Sequence, residues 1–208
     1  MIDFPASTIV RRRLPKEAFY KRLPLTAALK QKFVSDVDHI TVENSLTKGN
    51  LNLAKDSEIN EILLLSIILK KQDFDGKIVE AIARQNPHKL IFLLKYEDSR
   101  QLAVYHSKLY RSEWMGTGEL SLSLYGVSLD EIWDDLVRQI AVSSEAVLKQ
   151  EGQTIDEQLK TQDEIDRLNT LIKRIEAAAW KEQQPKKKFE LYTRLQEYKK
   201  QLEEITNG

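Results

Sequence analysis

The sequence predicts an α+β fold, a mixed β-sheet of about four to five strands with flanking helices, followed by a C-terminal antiparallel helical hairpin. Two apolar runs, residues 61–71 and 89–97, enclose a segment with helical spacing of its apolar residues. Residues 119–126 alternate apolar with polar, as in a half-exposed strand. From residue 154 onward, apolar residues recur at intervals of three and four. The globular domain is therefore expected over residues 1–145, and the hairpin over 146–208.

Proline and capping residues predict the first elements of the globular domain. Pro15 suits the first position of a short helix, which Pro24 would end. Thr26 is suited to cap a second helix. The apolar stripe of that helix comprises Leu29, Phe33 and Val37. A strand is expected to follow over residues 37–44.

The centre of the chain is expected to be a βαβ unit with parallel strands. Residues 61–71 form the first strand, and the helix runs through Ile78 and Ile82. The second strand follows Pro87, and it is buried on both faces because its apolar run is continuous. The polar turn at residues 97–100 then leads into a further strand over 101–109.

The last elements of the globular domain are an edge strand and a helix. Leu120, Leu122 and Leu124 share one face of a strand that is expected to be antiparallel and near the edge of the sheet. Ser128 and Glu131 then fit a capping box, which opens a helix through Ile140.

The C-terminal segment is predicted to be a coiled-coil hairpin. Thr154 and Glu157 form a second capping box, and Pro185 breaks the helical pattern. The apolar seam upstream of the break comprises Leu168, Ile172, Ile175 and Ala179, and the seam downstream comprises Leu191, Leu195, Tyr198, Leu202 and Ile205. A helix of this length reaches roughly 40 Å. Because so short a coiled coil is marginal alone, we expect it to pack on the globular domain, on a protein partner or on a second copy of the chain.

Composition limits the class of protein. The 208 residues include equal numbers of basic and acidic side chains, 32 of each, and no cysteine. Disulfides, thiolate zinc sites and cysteine nucleophiles are therefore excluded. No window of about 18 apolar residues could span a membrane, and the N-terminus lacks the apolar run of a signal peptide. We expect a cytoplasmic protein with no membrane partner.

The positive charge of the chain is concentrated near its N-terminus. Residues 1–35 contain eight basic and two acidic side chains, a net charge of +6. The candidate nucleic-acid-binding residues are Arg11, Arg12, Arg13, Lys16, Lys21 and Arg22. They alternate with Phe19 and Tyr20, a mixture that suits phosphates and stacked bases. A second basic cluster, Lys186 to Lys188, lies at the expected tip of the hairpin. A solvated surface is the ordinary alternative for both clusters.

No catalytic, cofactor or metal site is predicted from the sequence. The three histidines lie on separate segments without ligand spacing, and the seven glycines form no phosphate-binding loop. A metal-dependent nuclease would need a carboxylate and lysine two residues apart on a strand, and neither apolar strand has them in that order. A divergent nuclease is therefore kept only as an alternative function. Glu113 and Trp114 form a candidate interaction surface, unless the tryptophan closes the end of the sheet.

Several segments resemble the bacterial domain-of-unknown-function 4391 family. The opening pattern includes Phe4-Pro5, Thr8, Arg13-Leu14-Pro15-Lys16 and Phe19-Tyr20. Residues 87–109, 112–114 and 126–141 are similar to later elements of that family in the same order. No activity is established for the family, so the resemblance implies no catalytic residue. It implies association with DNA methyltransferases and helicase-type restriction subunits in defence loci.

The combined expectation is an accessory interaction protein rather than a recognisable enzyme. The hairpin would supply the surface for a protein partner or for self-association, through Leu191, Leu195, Tyr198 and Leu202. The basic N-terminus would contact nucleic acid if it is not purely structural. A divergent metal-dependent nuclease and a simple DNA-binding module are the alternatives.

Overall fold

The computed structural model describes residues 2–15, 17, 19, 23, 25–143 and 152–207. The chain divides into two units, Met1–Ala141 and Val142–Gly208. The first contains a mixed β-sheet with helices, and the second contains two long helices that pack together. The predicted fold class is confirmed.

The described residues of the first unit form a sheet of seven strands, more than the four to five expected. They are β1 (Ile9–Leu14), β2 (Val37–Thr47), β3 (Glu61–Leu69), β4 (Lys89–Tyr96), β5 (Ser99–His106), β6 (Lys108–Arg111) and β7 (Met115–Gly116). The first six lie side by side in sequence order, and β7 pairs with β5. Strands β3 and β4 are parallel, as predicted, and the other pairs are antiparallel.

Helices cover both faces of this sheet. Helix α1 (Ala27–Asp36) begins at Thr26, whose hydroxyl accepts a hydrogen bond from the Leu29 amide at 3.3 Å. Together with α2 (Lys77–Arg84), it packs on one face, where Phe33, Ile78 and Ile82 join the buried cluster. Helix α3 (Leu129–Ala141) packs against β3, β5 and β6. Both central strands are buried on two sides, which explains their continuous apolar sequences.

Helix α3 begins at a turn that requires glycine. Gly126 has a φ of +143°, and a Cβ there would lie 2.9 Å from the Ile132 backbone nitrogen. The Ser128 hydroxyl accepts from the Glu131 amide at 3.2 Å, as the predicted capping box requires. The Glu131 carboxylate, however, accepts from the Val127 amide at 2.9 Å.

The antiparallel edge strand predicted at Leu120 to Leu124 is wrong. Leu120 and Leu122 do point inward and are buried, but Leu122 forms only an isolated parallel bridge with Ile2. The amide side chain of Gln139 accepts from the Ser123 N–H at 3.1 Å and donates to the Ser123 carbonyl at 2.9 Å. A helix side chain thus satisfies the backbone groups that a neighbouring strand would have paired.

The entry to the first unit also differs from the prediction. Residues 9–14 form strand β1, which the sequence did not indicate. The predicted helix after Pro15 lies largely outside the described residues, because Lys16, Ala18, Tyr20, Lys21, Arg22 and Pro24 are not among them. Phe19 is described, and its ring stacks on that of Phe33 with the centroids 6.0 Å apart.

The second unit is a helical hairpin of α4 (Ile155–Lys181) and α5 (Pro185–Asn207). The predicted capping box at Thr154 is complete: its hydroxyl accepts from the Glu157 amide at 3.3 Å, and its own amide donates to the Glu157 carboxylate at 2.9 Å. An ion pair of 2.8 Å joins Lys199 on α5 to Glu176 on α4. Among the described helices, none is both long and apolar enough to cross a membrane.

Candidate functional site

Strand β1 places three of the candidate nucleic-acid contacts at the edge of the sheet. Arg11, Arg12 and Arg13 are all exposed. The pairing of β1 with β2 shifts register between Ile9 and Arg12, and Arg11 has a φ of +49°. A bulge with a left-handed arginine is uncommon and re-aims the side chain. The other three candidates, Lys16, Lys21 and Arg22, lie outside the described residues.

The three arginines do not share one surface. Arg12 pairs with Val42 and Arg13 with Thr41, and side chains on consecutive strand residues point to opposite faces. Val42 belongs to the buried cluster beneath α1 and α2. Arg12 is therefore on the face of the sheet that carries this cluster, and Arg13 is on the opposite face.

A charged cluster interrupts the apolar interior of the sheet. Ser66, on β3, is 1% exposed and donates a hydrogen bond of 2.5 Å to Glu43 on β2. Lys95, on β4, donates to the same Glu43 oxygen at 3.0 Å. The β2–β3 register shifts between Val42 and Asn44, so Glu43 is a bulged residue. Sequence analysis missed Glu43, although Ser66 is the one polar residue of β3 after Glu61 at its start.

The surroundings of Glu43 keep it ionised. Burial acts to raise its pKa, but the hydrogen bonds from Ser66 and Lys95 and the charges of Lys95 and Arg11 outweigh burial. The pKa of Glu43 therefore lies below its ordinary value. Side chains of β3 and β4 hold this β2 carboxylate, which makes it a fixed charge on the face of the sheet opposite the cluster that contains Val42.

A cavity of 640 Å³ lies beside β1. Its apolar lining comprises Val10, Leu14, Phe19, Leu23, Val42, Leu63, Leu65, Ile82 and Pro87. Its polar lining comprises Arg12, Ser45, Glu61, Gln85, Asn86 and His88. A neighbouring cavity of 550 Å³ shares Glu61, Pro87 and His88 with it. We call the larger space the Arg12 cavity.

Two of the three histidines, His88 and His39, lie beside carboxylates. His88 Nδ1 lies 3.2 Å from Glu61 Oε2, while the other Glu61 oxygen accepts a hydrogen bond from Ser45. His39 Nδ1 lies 2.7 Å from an Asp38 oxygen. Within the described residues, no group of three or more histidine, aspartate or glutamate side chains is arranged to hold a metal ion.

Glu113 and Trp114 differ in their surroundings. Trp114 is half-buried and packs against the hydrophobic cluster, whereas Glu113 is exposed. The Glu113 carbonyl accepts a hydrogen bond of 2.9 Å from the Ser112 hydroxyl. The position of Trp114 favours the alternative in which this ring closes one end of the sheet.

The hairpin exposes aromatic residues that lie outside its apolar seam. Of the candidate seam residues, Leu195 is buried and Leu191, Tyr198 and Leu202 are half-buried. The exposed aromatic side chains are Trp180 (85% exposed), Phe189 (74%) and Tyr192 (43%). We call these three residues the aromatic tip, because they lie near the turn between α4 and α5. Heptad spacing did not identify them because they are outside the seam.

Comparison with known proteins identifies a family and no individual relative. No curated protein and no solved structure matches the chain. A family model described as "Domain of unknown function (DUF4391)" matches residues 2–202. The match extends from the first described residues into α5, so it includes the sheet and most of the hairpin. The chain therefore belongs to the DUF4391 family, as the pattern of its opening residues indicated.

Proposed function

We propose that this protein is an accessory interaction protein, which docks through the aromatic tip onto a larger DNA-modifying or DNA-translocating protein. The single observation that carries the proposal is the exposure of Trp180, which is 85% accessible at the end of α4. Phe189 and Tyr192 are exposed one turn apart on α5, so they share one face of that helix.

Large exposed aromatic side chains favour protein binding. Burying one removes about 150–250 Å² from water, worth roughly 4–6 kcal/mol of transfer free energy before the costs of association. Tryptophan and tyrosine are enriched among the residues that dominate binding free energy. The tip is also preorganised, since α4 and α5 already pack against each other.

The charge of the tip favours an acidic partner surface. Lys181, Lys186 and Lys187 are exposed beside the aromatic residues. Lysines around an aromatic centre would accelerate and orient docking on a surface of opposite charge. The partner class, a DNA methyltransferase or helicase-type restriction subunit, rests on what the family resemblance implies.

Replacing Trp180 and Phe189 together by alanine tests this proposal. Full-length protein carrying an affinity tag is recovered from its native host, and co-purifying proteins are quantified by mass spectrometry. We expect a DNA methyltransferase or helicase subunit with the unaltered protein, and its loss by tenfold or more, about 1.4 kcal/mol, with the double variant. Circular dichroism should show unchanged helicity.

The matched control replaces Gln196 and Gln201, which are exposed on α5 away from the tip, by alanine. This variant should capture the partner as the unaltered protein does. Equal capture by the Trp180/Phe189 variant, or recovery of proteins unrelated to DNA processing, would contradict the proposal.

A DNA-binding module is the second candidate function. It is favoured by the exposure of Arg11, Arg12 and Arg13 on an edge strand. Changing all three to alanine should weaken duplex DNA binding and reduce the slope of log affinity against log salt by about one for each lost phosphate contact. Unaltered affinity and slope in a fluorescence-anisotropy titration would remove the arginines from DNA recognition.

A further inference from the structure

We infer that the Arg12 cavity binds a small amphipathic molecule, with an apolar body against the sheet and an anionic head group on Arg12. The inference does not depend on the aromatic tip. It rests on the size of the cavity, on its apolar walls and on the Arg12 guanidinium, which has no partner among the described residues.

The cavity has the size and lining of a small-molecule site. Its 640 Å³ falls within the range of about 300–1,000 Å³ that such sites occupy. Val42, Leu65 and Ile82 are buried members of the hydrophobic cluster, so its floor is part of the core. Val10, on β1, is 41% exposed and adds an apolar wall. An apolar body bound there would remove the exposed surface of Val10 from water and contact the buried floor.

The charges around the cavity select the head group. Glu61 accepts a hydrogen bond from Ser45 and pairs with His88, so its carboxylate is already satisfied. The Asn86 side chain accepts from the His88 amide at 2.9 Å. No hydrogen bond or ion pair involves the Arg12 guanidinium in the part of the chain that the structure describes. Among these polar groups, Arg12 is therefore the one that is free to bind an anion.

A guanidinium beside an apolar wall recognises a specific chemistry. Its planar donors match the two oxygens of a carboxylate and the oxygens of a phosphate, and both pairings are charge-assisted. A medium-length fatty acid and an alkyl phosphate share the required design, an anion at the end of an apolar chain. A neutral alcohol of equal length offers the apolar chain alone.

The test measures displacement of 1-anilinonaphthalene-8-sulfonate from the full-length protein, followed by its fluorescence. Decanoate, decyl phosphate and decanol are the competitors. We expect decanoate or decyl phosphate to displace the probe at lower concentration than decanol does. The more effective of the two anions identifies the head group.

Arg12→Ala is the decisive variant. We expect it to weaken binding of the anionic competitor by about tenfold or more, which is the usual contribution of a charge-assisted hydrogen bond, and to leave decanol unchanged. Arg13→Ala is the matched control, since it removes the same charge from the opposite face of the same strand. Arg13→Ala should bind all three competitors as the unaltered protein does.

Val10→Trp tests whether the molecule binds in the Arg12 cavity, and it does so without changing a core residue. Val10 is on an edge strand, where a larger side chain can be accommodated while it narrows the cavity. We expect it to weaken decanoate and decanol alike. Equal effects of Arg12→Ala and Arg13→Ala, or an unchanged affinity in Val10→Trp, would overturn the assignment.

Discussion

Glu43 shows how one carboxylate is tolerated inside a sheet. Its side chain is 24% exposed, and a charge in such a position is unfavourable unless it is paired and hydrogen-bonded. Ser66 and Lys95 supply both requirements at 2.5 and 3.0 Å. Because these residues come from β2, β3 and β4, the cluster fixes the position of three strands relative to one another. We interpret the cluster as a feature that fixes the pairing register of these three strands.

Glu43→Gln should reduce the free energy of unfolding by about 1–2 kcal/mol at neutral pH, because a neutral amide loses the charge-assisted part of both hydrogen bonds. The pKa of Glu43 is lowered in the folded protein, so its contribution is fully present above the ordinary value of 4.5. It is lost as the pH falls through the folded-state pKa.

Urea denaturation of the unaltered protein and of Glu43→Gln, at pH values above and below 4.5, measures the effect. The difference between them should shrink below pH 4.5. Glu197→Gln, a change at an exposed position on α5, is the control and should show no such trend. A difference that stays constant with pH would refute the role assigned to the carboxylate.

Strand bulges explain why the sequence did not predict this cluster. Val42 and Leu46 are four residues apart, so strict alternation places them on one face. In the structure, Val42 belongs to the cluster beneath α1 and α2, and Leu46 does not. The bulge at Glu43 reverses the alternation. A bulge depends on the pairing strand, which a single segment of sequence does not reveal.

At the scale of elements, the sequence predicted the helices that begin with a capping residue. Thr26, Ser128 and Thr154 all accept the hydrogen bonds expected of a helix cap. Strand β1 was missed because arginines and nearby prolines are poor strand signals, and its structure comes from pairing with β2. The strand predicted at residues 120–124 does not form, because the Gln139 side chain, rather than a neighbouring strand, bonds to the backbone there.

Thr154→Ala should destabilise α4 by about 1 kcal/mol, because the hydroxyl that accepts from the Glu157 amide and donates to the Glu157 carboxylate is lost. The measurement is urea denaturation followed by circular dichroism. Thr161→Ala is the matched control, because Thr161 lies within the helix and its hydroxyl bonds only to the Glu157 carbonyl at 3.2 Å. Alanine has the higher helix propensity, so the control should be neutral or slightly stabilising. Equal losses in the two variants would contradict a specific contribution of the cap.

On the scale of the whole molecule, the two proposed surfaces are built within different units. The Arg12 cavity is formed by residues of the first unit, and the aromatic tip belongs to the second. Neither surface could be predicted from periodicity. The cavity depends on β1, which was missed, and the aromatic tip is outside the heptad seam.

We expect the two surfaces to act independently, because each is built from residues of its own unit. The Trp180/Phe189 variant should bind decanoate with unchanged affinity, and Val10→Trp should capture the protein partner in unchanged amount. The same displacement and co-purification measurements provide the comparison. A change of threefold or more in either decanoate binding or partner capture, roughly 0.6 kcal/mol, would reveal coupling between the surfaces.

The bulge in β1 also bears on how the protein avoids polymerising. β1 is the outermost strand on its side of the sheet, and a flat outer strand offers unpaired backbone groups on which another chain can add. The left-handed backbone at Arg11 interrupts that template, and three adjacent positive charges repel a second copy of the same edge. We expect this edge to keep newly made chains, crowded together during synthesis, from joining strand to strand into fibres.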